Sequence, residues 1–217
     1  MRLLRGKRDP TLEHRLVWQA AALLLAYPDD RQAERLTTVE EMLTHLPDAP
    51  ANLLGATVTA LRNADPMQAQ IDYVDTFDMR RRTTMYLTYW TAGDTRNRGN
   101  HMLAFASTYR EAGVHPPEHE APDYLPVVLE FAATVDAAAG RRLLAEHRAP
   151  IDLLRDALEQ SASPYAHAVA AVCQTLPPRT EQDAQRAQRL AAAGPPTESV
   201  GLQPFTLTVP PRRAQGV

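Results

Sequence analysis

Residues 11–28 read Thr-Leu-Glu-His-Arg-Leu-Val-Trp-Gln-Ala-Ala-Ala-Leu-Leu-Leu-Ala-Tyr-Pro. Leu12, Leu16, Ala20, Leu23, Leu24 and Tyr27 recur at helical spacing, and Pro28 ends the run. The same pattern continues outward along the chain. Its 217 residues hold 18 prolines but only 9 glycines, and the prolines separate segments of helical length rich in Ala, Leu, Arg, Glu and Gln. Proline breaks a helix interior yet fits a first turn, so here it punctuates an all-helical chain.

The segments that follow are Asp30 to Leu46, Ala51 to Asn63, and a helix opened by Asp65-Pro66 that carries Ile71, Val74 and Phe77. Asp65 is a good N-cap and Pro66 a good first helical residue. Thr83 to Trp90 is β-branched and aromatic, but its place between helices favours a short helix over a strand. Asp94-Thr95 caps a helix to Ala112 with Gly113 at its C-terminal end. Asp123 to Gly140, Ile151 to Ser161, a helix from Ser163-Pro164 to Leu176, and Thr180 to Ala193 complete the set. Phe205 to Val209 alternates like a strand but has no partner. The expected fold is all-α, one bundle-like domain of about eight or nine helices with a Pro-rich C-terminal tail. Residues 1–10 read as a flexible N-terminus, 11–176 as the helical domain, 177–193 as an accessory helix and 194–217 as a disordered tail.

Composition excludes several classes. The formal charge is −3, too balanced for general nucleic-acid binding. Cys173 is the single cysteine, so neither an internal disulfide nor a cysteine-based zinc site can form. The longest apolar run, Ala20 to Tyr27, is far short of the roughly 20 residues a bilayer requires. The basic N-terminus lacks the apolar stretch of a signal peptide, so the expected location is cytoplasmic.

The centre of the chain is chemically distinct from its ends. Arg80-Arg81-Arg82 precedes Tyr86, Tyr89 and Trp90, then Gly93-Asp94-Thr95-Arg96-Asn97-Arg98-Gly99. Arg96 and Arg98 can pair bidentately with carboxylates, whether in their own fold or in a ligand. The arginine run reads first as a solvated helix end. His115, Glu118, His119 and Glu120 form the one metal-like cluster, but Pro116 and Pro117 prevent the facing-pair geometry of a zinc helix. Cys173 reads as a buried small hydrophobe among Val169, Val172 and Leu176.

In combination these residues resemble a known family. Thr76-Phe77-Asp78-Met79-Arg80-Arg81-Arg82, Tyr86-Leu87-Thr88-Tyr89-Trp90, the Gly93–Gly99 loop and Pro122-Asp123-Tyr124-Leu125-Pro126-Val127-Val128-Leu129-Glu130-Phe131 resemble the NarJ proteins. These are the respiratory nitrate reductase assembly chaperones, or delta subunits, within the TorD/DmsD-like redox-enzyme maturation group. One departure is Ala121, where the pattern expects a larger apolar residue.

The resemblance implies a chaperone with no catalytic activity and no cofactor of its own. It would bind the N-terminal segment of the apo catalytic (alpha) subunit of nitrate reductase. That client would be held until its molybdenum bis-guanine-dinucleotide cofactor and iron–sulfur centre are in place, with cofactor-insertion proteins as further partners. A leader of this kind is a basic amphipathic helix that lays its apolar face in a groove. The candidate apolar wall is Tyr86, Tyr89, Trp90, Tyr124 and Leu125; the candidate anionic partners are Glu118, Glu120, Asp123 and Glu130; Arg96 and Arg98 order the loop or meet a leader carboxylate. Two other classes stand beside it. One is a cofactor or guanine-nucleotide carrier, using Arg80 to Arg82 with Arg96 and Arg98. The other is a helical metal-dependent hydrolase using His101, His115 or His119.

Overall fold

The structure, a computed structural model, describes residues 10–92, 96–116 and 118–194. Among them are eleven α-helices. These are α1 (Pro10–Leu24), α2 (Gln32–Leu43), α3 (Asp48–Asn63), α4 (Pro66–Phe77), α5 (Tyr89–Ala92) and α6 (Arg96–Glu111), then α7 (Leu125–Thr134), α8 (Ala137–Glu146), α9 (Arg148–Gln160), α10 (Tyr165–Thr175) and α11 (Glu181–Ala193). A 3₁₀ turn, Arg81–Thr83, lies between α4 and α5. The chain is all-α, and α1 is its axis, packed on α2, α3, α7 and α10.

The reason lies in the α1 sequence. Val17, Trp18, Ala20, Ala21, Ala22, Leu24 and Leu25 are all buried, so the helix is enclosed on more than one side. The alanines let α7 approach closely. Trp18 adds a polar stitch, its indole N–H donating to Thr175 Oγ1 of α10 at 2.8 Å in the buried interior. The main core takes in Val17 to Leu25, Leu125 to Ala133 and Val169 to Leu176. A second, smaller cluster joins Trp90, Ala149, Leu153 and Ala187 between α5, α9 and α11.

Local signals place several helix ends. Asp65 caps α4 by accepting from the Gln68 N–H at 3.0 Å. After α6, Gly113 adopts φ +81°. Its N–H donates to the Arg110 carbonyl and that of Val114 to the Tyr109 carbonyl, the paired bonds of a Schellman ending.

The structure differs from the sequence reading in three places. Thr83 to Trp90 is not one helix: only its ends are helical, Thr83 in the 3₁₀ turn and Tyr89 and Trp90 in α5. Residues 84–86 run extended after the 3₁₀ turn, residues 87 and 88 turn into α5, and Tyr86 forms an antiparallel bridge with Tyr124. The Leu87 N–H donates to the Asp123 carbonyl (3.0 Å) and the Leu125 N–H to the Met85 carbonyl (2.9 Å). Tertiary partners on a distant segment thus satisfy a backbone that local context assigned to a helix. Second, Asp123 to Gly140 is two helices. Asp136 turns out to φ −135° and caps α8, its carboxylate accepting from Ala138 and Ala139 N–H. Alanines on both sides carried helical propensity across that break. Third, α3 and α9 begin a turn early, because Pro50 and Pro150 lie inside their first turns rather than ahead of them. Among the described residues eleven α-helices stand where about eight or nine were expected. The capping expected of Asp94-Thr95, the tail from residue 195 and the alternating segment 205–209 lie outside the described residues.

Candidate functional site

The segment 84–88 and the loop before α7 lie side by side, and the candidate site forms around them. Tyr86 and Tyr124 meet across the bridge with ring centroids 5.3 Å apart and planes tilted by 40°. Behind Tyr124, its hydroxyl meets that of Tyr73 at 3.0 Å, and Tyr73 in turn donates to the Leu25 carbonyl at 2.9 Å. Tyr73 has one proton and gives it to Leu25, so Tyr124 is the donor in the hydroxyl pair. Burial pushes the Tyr124 phenol up to about 12. This chain of hydroxyls fixes the Tyr124 ring at the surface while its tip stays anchored inside.

On one side of the tyrosine pair is a groove of about 280 Å³ between α1 and α7. Leu23, Ala26 and Tyr27 form one wall, and Tyr124, Pro126 and Val127 the other. Glu120 and Glu130 stand at its rim and are both exposed. Tyr27 remains 44% exposed although its ring meets Tyr73 edge-on. An apolar floor with carboxylates at its edge suits an amphipathic segment bearing basic side chains.

On the other side is a groove of about 400 Å³ lined by Phe77, Met79, Arg80, Arg81, Tyr86, Tyr89 and Arg98. The Arg98 guanidinium lies 4.8 Å from the Tyr86 ring centre. It also reaches Asp123 Oδ1 at 3.4 Å. Thr88 holds the other carboxylate oxygen with its N–H (3.1 Å) and its hydroxyl (2.5 Å). Thr83 hooks the preceding turn to the end of α4, its hydroxyl donating to the Thr76 carbonyl.

The structure sorts the residues read from the sequence. Glu120, Tyr124 and Glu130 come together in the first groove, with Tyr86 on the seam between the two. Tyr89 and Arg98 face the second groove. Asp123 and Leu125 are both 0% exposed. Asp123 is therefore an internal tie rather than an anionic partner at a surface, and Leu125 is core rather than groove wall. Trp90 is 4% exposed and lies beneath α11. Glu118 is exposed and does not line the first groove. For Arg96 only the backbone at the start of α6 is described.

The α1 wall went unread in the sequence, because Leu23 and Tyr27 share the stripe that forms the core. The available signal was the uninterrupted apolar run Ala20 to Tyr27, wider than a one-sided face needs. Among the described residues, no group of three or more His, Cys, Asp or Glu is placed to hold a metal ion. None of the described helices is long and apolar enough to cross a membrane.

Comparison with known proteins supplies the remaining context. The chain is 62% identical over 160 residues, 74% of its length, to the nitrate reductase-like protein NarX of Mycobacterium tuberculosis. It spans about a quarter of that relative, 24% of its length. It is 32% identical over 158 residues to a Bacillus subtilis protein named as a nitrate reductase molybdenum cofactor assembly chaperone, NarJ, covering 72% of this chain and 85% of that one. The NarJ chaperone of Escherichia coli K12 is 31% identical over 146 residues, 66% of this chain and 62% of that one. A solved Archaeoglobus fulgidus structure, described as a redox enzyme maturation protein, matches with a TM-score of 0.57 over 80% of this chain and 98% of that one. At 20% identity this likeness establishes a shared fold. The family model for the nitrate reductase delta subunit matches residues 32–171, a span running from α2 into α10 that holds the second groove and the α7 wall of the first, and the chain belongs to that family.

Proposed function

We propose that the protein is an assembly chaperone for the catalytic subunit of a nitrate reductase, and that it holds the N-terminal segment of that subunit before the molybdenum cofactor is inserted. One observation carries the reading: the groove between α1 and α7 joins an apolar floor to a carboxylate rim at Glu120 and Glu130. The names of the relatives support the client, and the groove's chemistry supports the mode. A basic amphipathic helix would place its apolar stripe on Leu23, Tyr27, Tyr124 and Val127, with its cations near the two glutamates. Buried apolar area supplies affinity, and the rim charges supply orientation and association rate. The protein acts by binding and performs no reaction of its own. The molybdenum bis-guanine-dinucleotide cofactor belongs to the client, and the work is done in the cytoplasm.

The test is isothermal titration with a peptide of about 15 residues, roughly four helical turns, from the start of the nitrate reductase catalytic subunit of the same genome. Saturable binding to this peptide, and not to leaders of other molybdenum enzymes, is the expected result. Absence of binding by the folded protein overturns the reading.

A second reading rests on the other groove, where Arg80, Arg81 and Arg98 line one surface beside two tyrosines. That arrangement suits a phosphorylated guanine compound, and the protein would then carry the cofactor or a nucleotide. Titration with guanine nucleotides decides it, and the lack of saturable binding sinks it.

A further inference from the structure

α11 packs outside the main core, against α9 and Trp90. Its buried side chain, Ala187, joins Trp90, Ala149 and Leu153 in a cluster separate from the main core, with Leu190 and Ala191 at its edge. The face it offers is mostly alanine. Its link to α10 passes through Pro177 and Pro178, both exposed. α11 also sustains its own first turn, because Thr180 and Asp183 form a reciprocal capping box. A helix so tethered and capped can leave its seat intact.

The seat itself is imperfectly filled. Trp90 is 4% exposed, and its indole N–H is buried without a hydrogen-bond partner. A buried indole N–H normally finds an acceptor, and leaving it unpaired opposes burial. The side chains that α11 lays in the cluster are Ala187, Leu190 and Ala191, and none carries an acceptor. The charges around the seat also select. Asp152, 1% exposed, gathers Arg148 at 3.1 Å and Arg179 at 3.4 Å. Hydrogen bonds from Thr180, and then the fields of Arg148 and Arg179, hold the Asp183 carboxyl below its ordinary pKa. The acidic first turn of α11 thus sits beside basic side chains.

We propose that Trp90, Ala149 and Leu153 form a second helix-docking face, with α11 as its resident, detachable cover. Its partner is a helix with an acidic first turn, a stripe of small side chains and a hydrogen-bond acceptor set against the Trp90 indole. This requirement is opposite in charge to that of the α1–α7 groove, so the two surfaces serve different segments. The proposal stands independently of the client reading.

The test uses the full chain carrying Ala187→Glu and Leu190→Asp, which places carboxylates in the seat and releases α11. Neither residue enters the main core. Helical circular dichroism and the main thermal transition are therefore expected to persist. A synthetic peptide of residues 180–194 is expected to bind this variant saturably and to leave the unaltered chain unbound. The same peptide with Ala187→Ser or Ala191→Ser, whichever hydroxyl meets the indole, is expected to bind several-fold tighter, with a change in tryptophan fluorescence. Failure of every peptide to bind the folded variant, or equal affinity with and without the serine, overturns the proposal. Should the variant not fold, hydrogen exchange of the unaltered chain decides. Amides of α11 exchanging together and well before those of α9 uphold a detachable cover, and protection equal to that of α9 overturns it.

Discussion

Thr88 gives Asp123 two hydrogen bonds to a single carboxylate oxygen, from its N–H at 3.1 Å and its hydroxyl at 2.5 Å, and both residues are 0% exposed. Arg98 reaches the other oxygen at 3.4 Å. One buried aspartate thereby joins the turn before α5, the start of α6 and the loop leading into α7. Asp123→Ala strands two buried donors and one cation, and should cost about 3 kcal/mol. In a chain of this length that corresponds to a fall of roughly 6–12 °C in Tm. Arg98→Ala leaves the Thr88 bonds in place and should cost less. Thermal denaturation of the two variants checks the order. Well below either transition, both should hold the client peptide within a few-fold of the unaltered protein, because Asp123 acts on the groove through the backbone beside Tyr124.

The glutamates at the groove rim make the opposite case. Glu120 and Glu130 are exposed, so reversing them to Lys should leave Tm nearly unchanged. Each exposed pair contributes on the order of 0.2–1 kcal/mol, and reversal adds repulsion. The double reversal should weaken the basic leader peptide about ten-fold at low salt, and less as added salt screens the charges. Titration at two ionic strengths measures this. Equal affinity for both proteins would move the peptide out of the α1–α7 groove.

Gly140 opens onto the backbone and side chain of Ala132, close enough that a Cβ at this position collides with both. The contact sets how closely α8 folds back on α7 after the break at Val135-Asp136. Gly140→Ala should therefore destabilise the protein by about 1–3 kcal/mol although it improves helix propensity. Urea denaturation reads the loss. A stabilised variant would mean that propensity outweighs the α7–α8 contact.

Stability should hold level from about pH 6.5 to about pH 9 and fall on either side. On the alkaline side, burial raises Cys173 to about 12 from an ordinary 9.0 and Tyr124 to about 12 from an ordinary 10.0, and it raises Tyr73, Tyr109 and Tyr165 as well. The unfolded chain releases these protons first. Their contribution is thus full below the unfolded values and is lost as pH rises toward 12. On the acid side, burial lowers His147 and His14 from 6.5, and their contribution is lost as pH falls below that value. Denaturation midpoints across pH 5 to 11 should trace this plateau. The same burial should keep Cys173 unreactive toward a thiol reagent until the chain unfolds.

The residues differ in how much of this was legible beforehand. Asp65-Pro66, Gly113 and Thr180 mark helix ends by side-chain or backbone preferences that act within four residues. Those signals are local, so the sequence displays them. Asp136 was equally local, but alanines on both sides hid it. Glu120, Tyr124 and Glu130 could be named because they lie in or beside the Pro122–Phe131 stretch that carries the family resemblance. Tyr27 and Leu23 could not, because which flank of an apolar helix stays open depends on where its neighbours end.

The spacing of apolar residues between prolines was enough to specify an all-helical chain, and the family resemblance marked the central segment as the place of function. Long-range packing is what makes residues 84–86 run extended, turns Asp123 and Leu125 inward, and roofs Trp90 with α11. Helical periodicity is a property of one segment. Which side of that segment is buried depends on residues far along the chain: Tyr86 finds Tyr124 and Trp90 finds Ala187 only when packing brings them together. The groove exists because α1 and α7 leave space between them, and no single segment encodes that space.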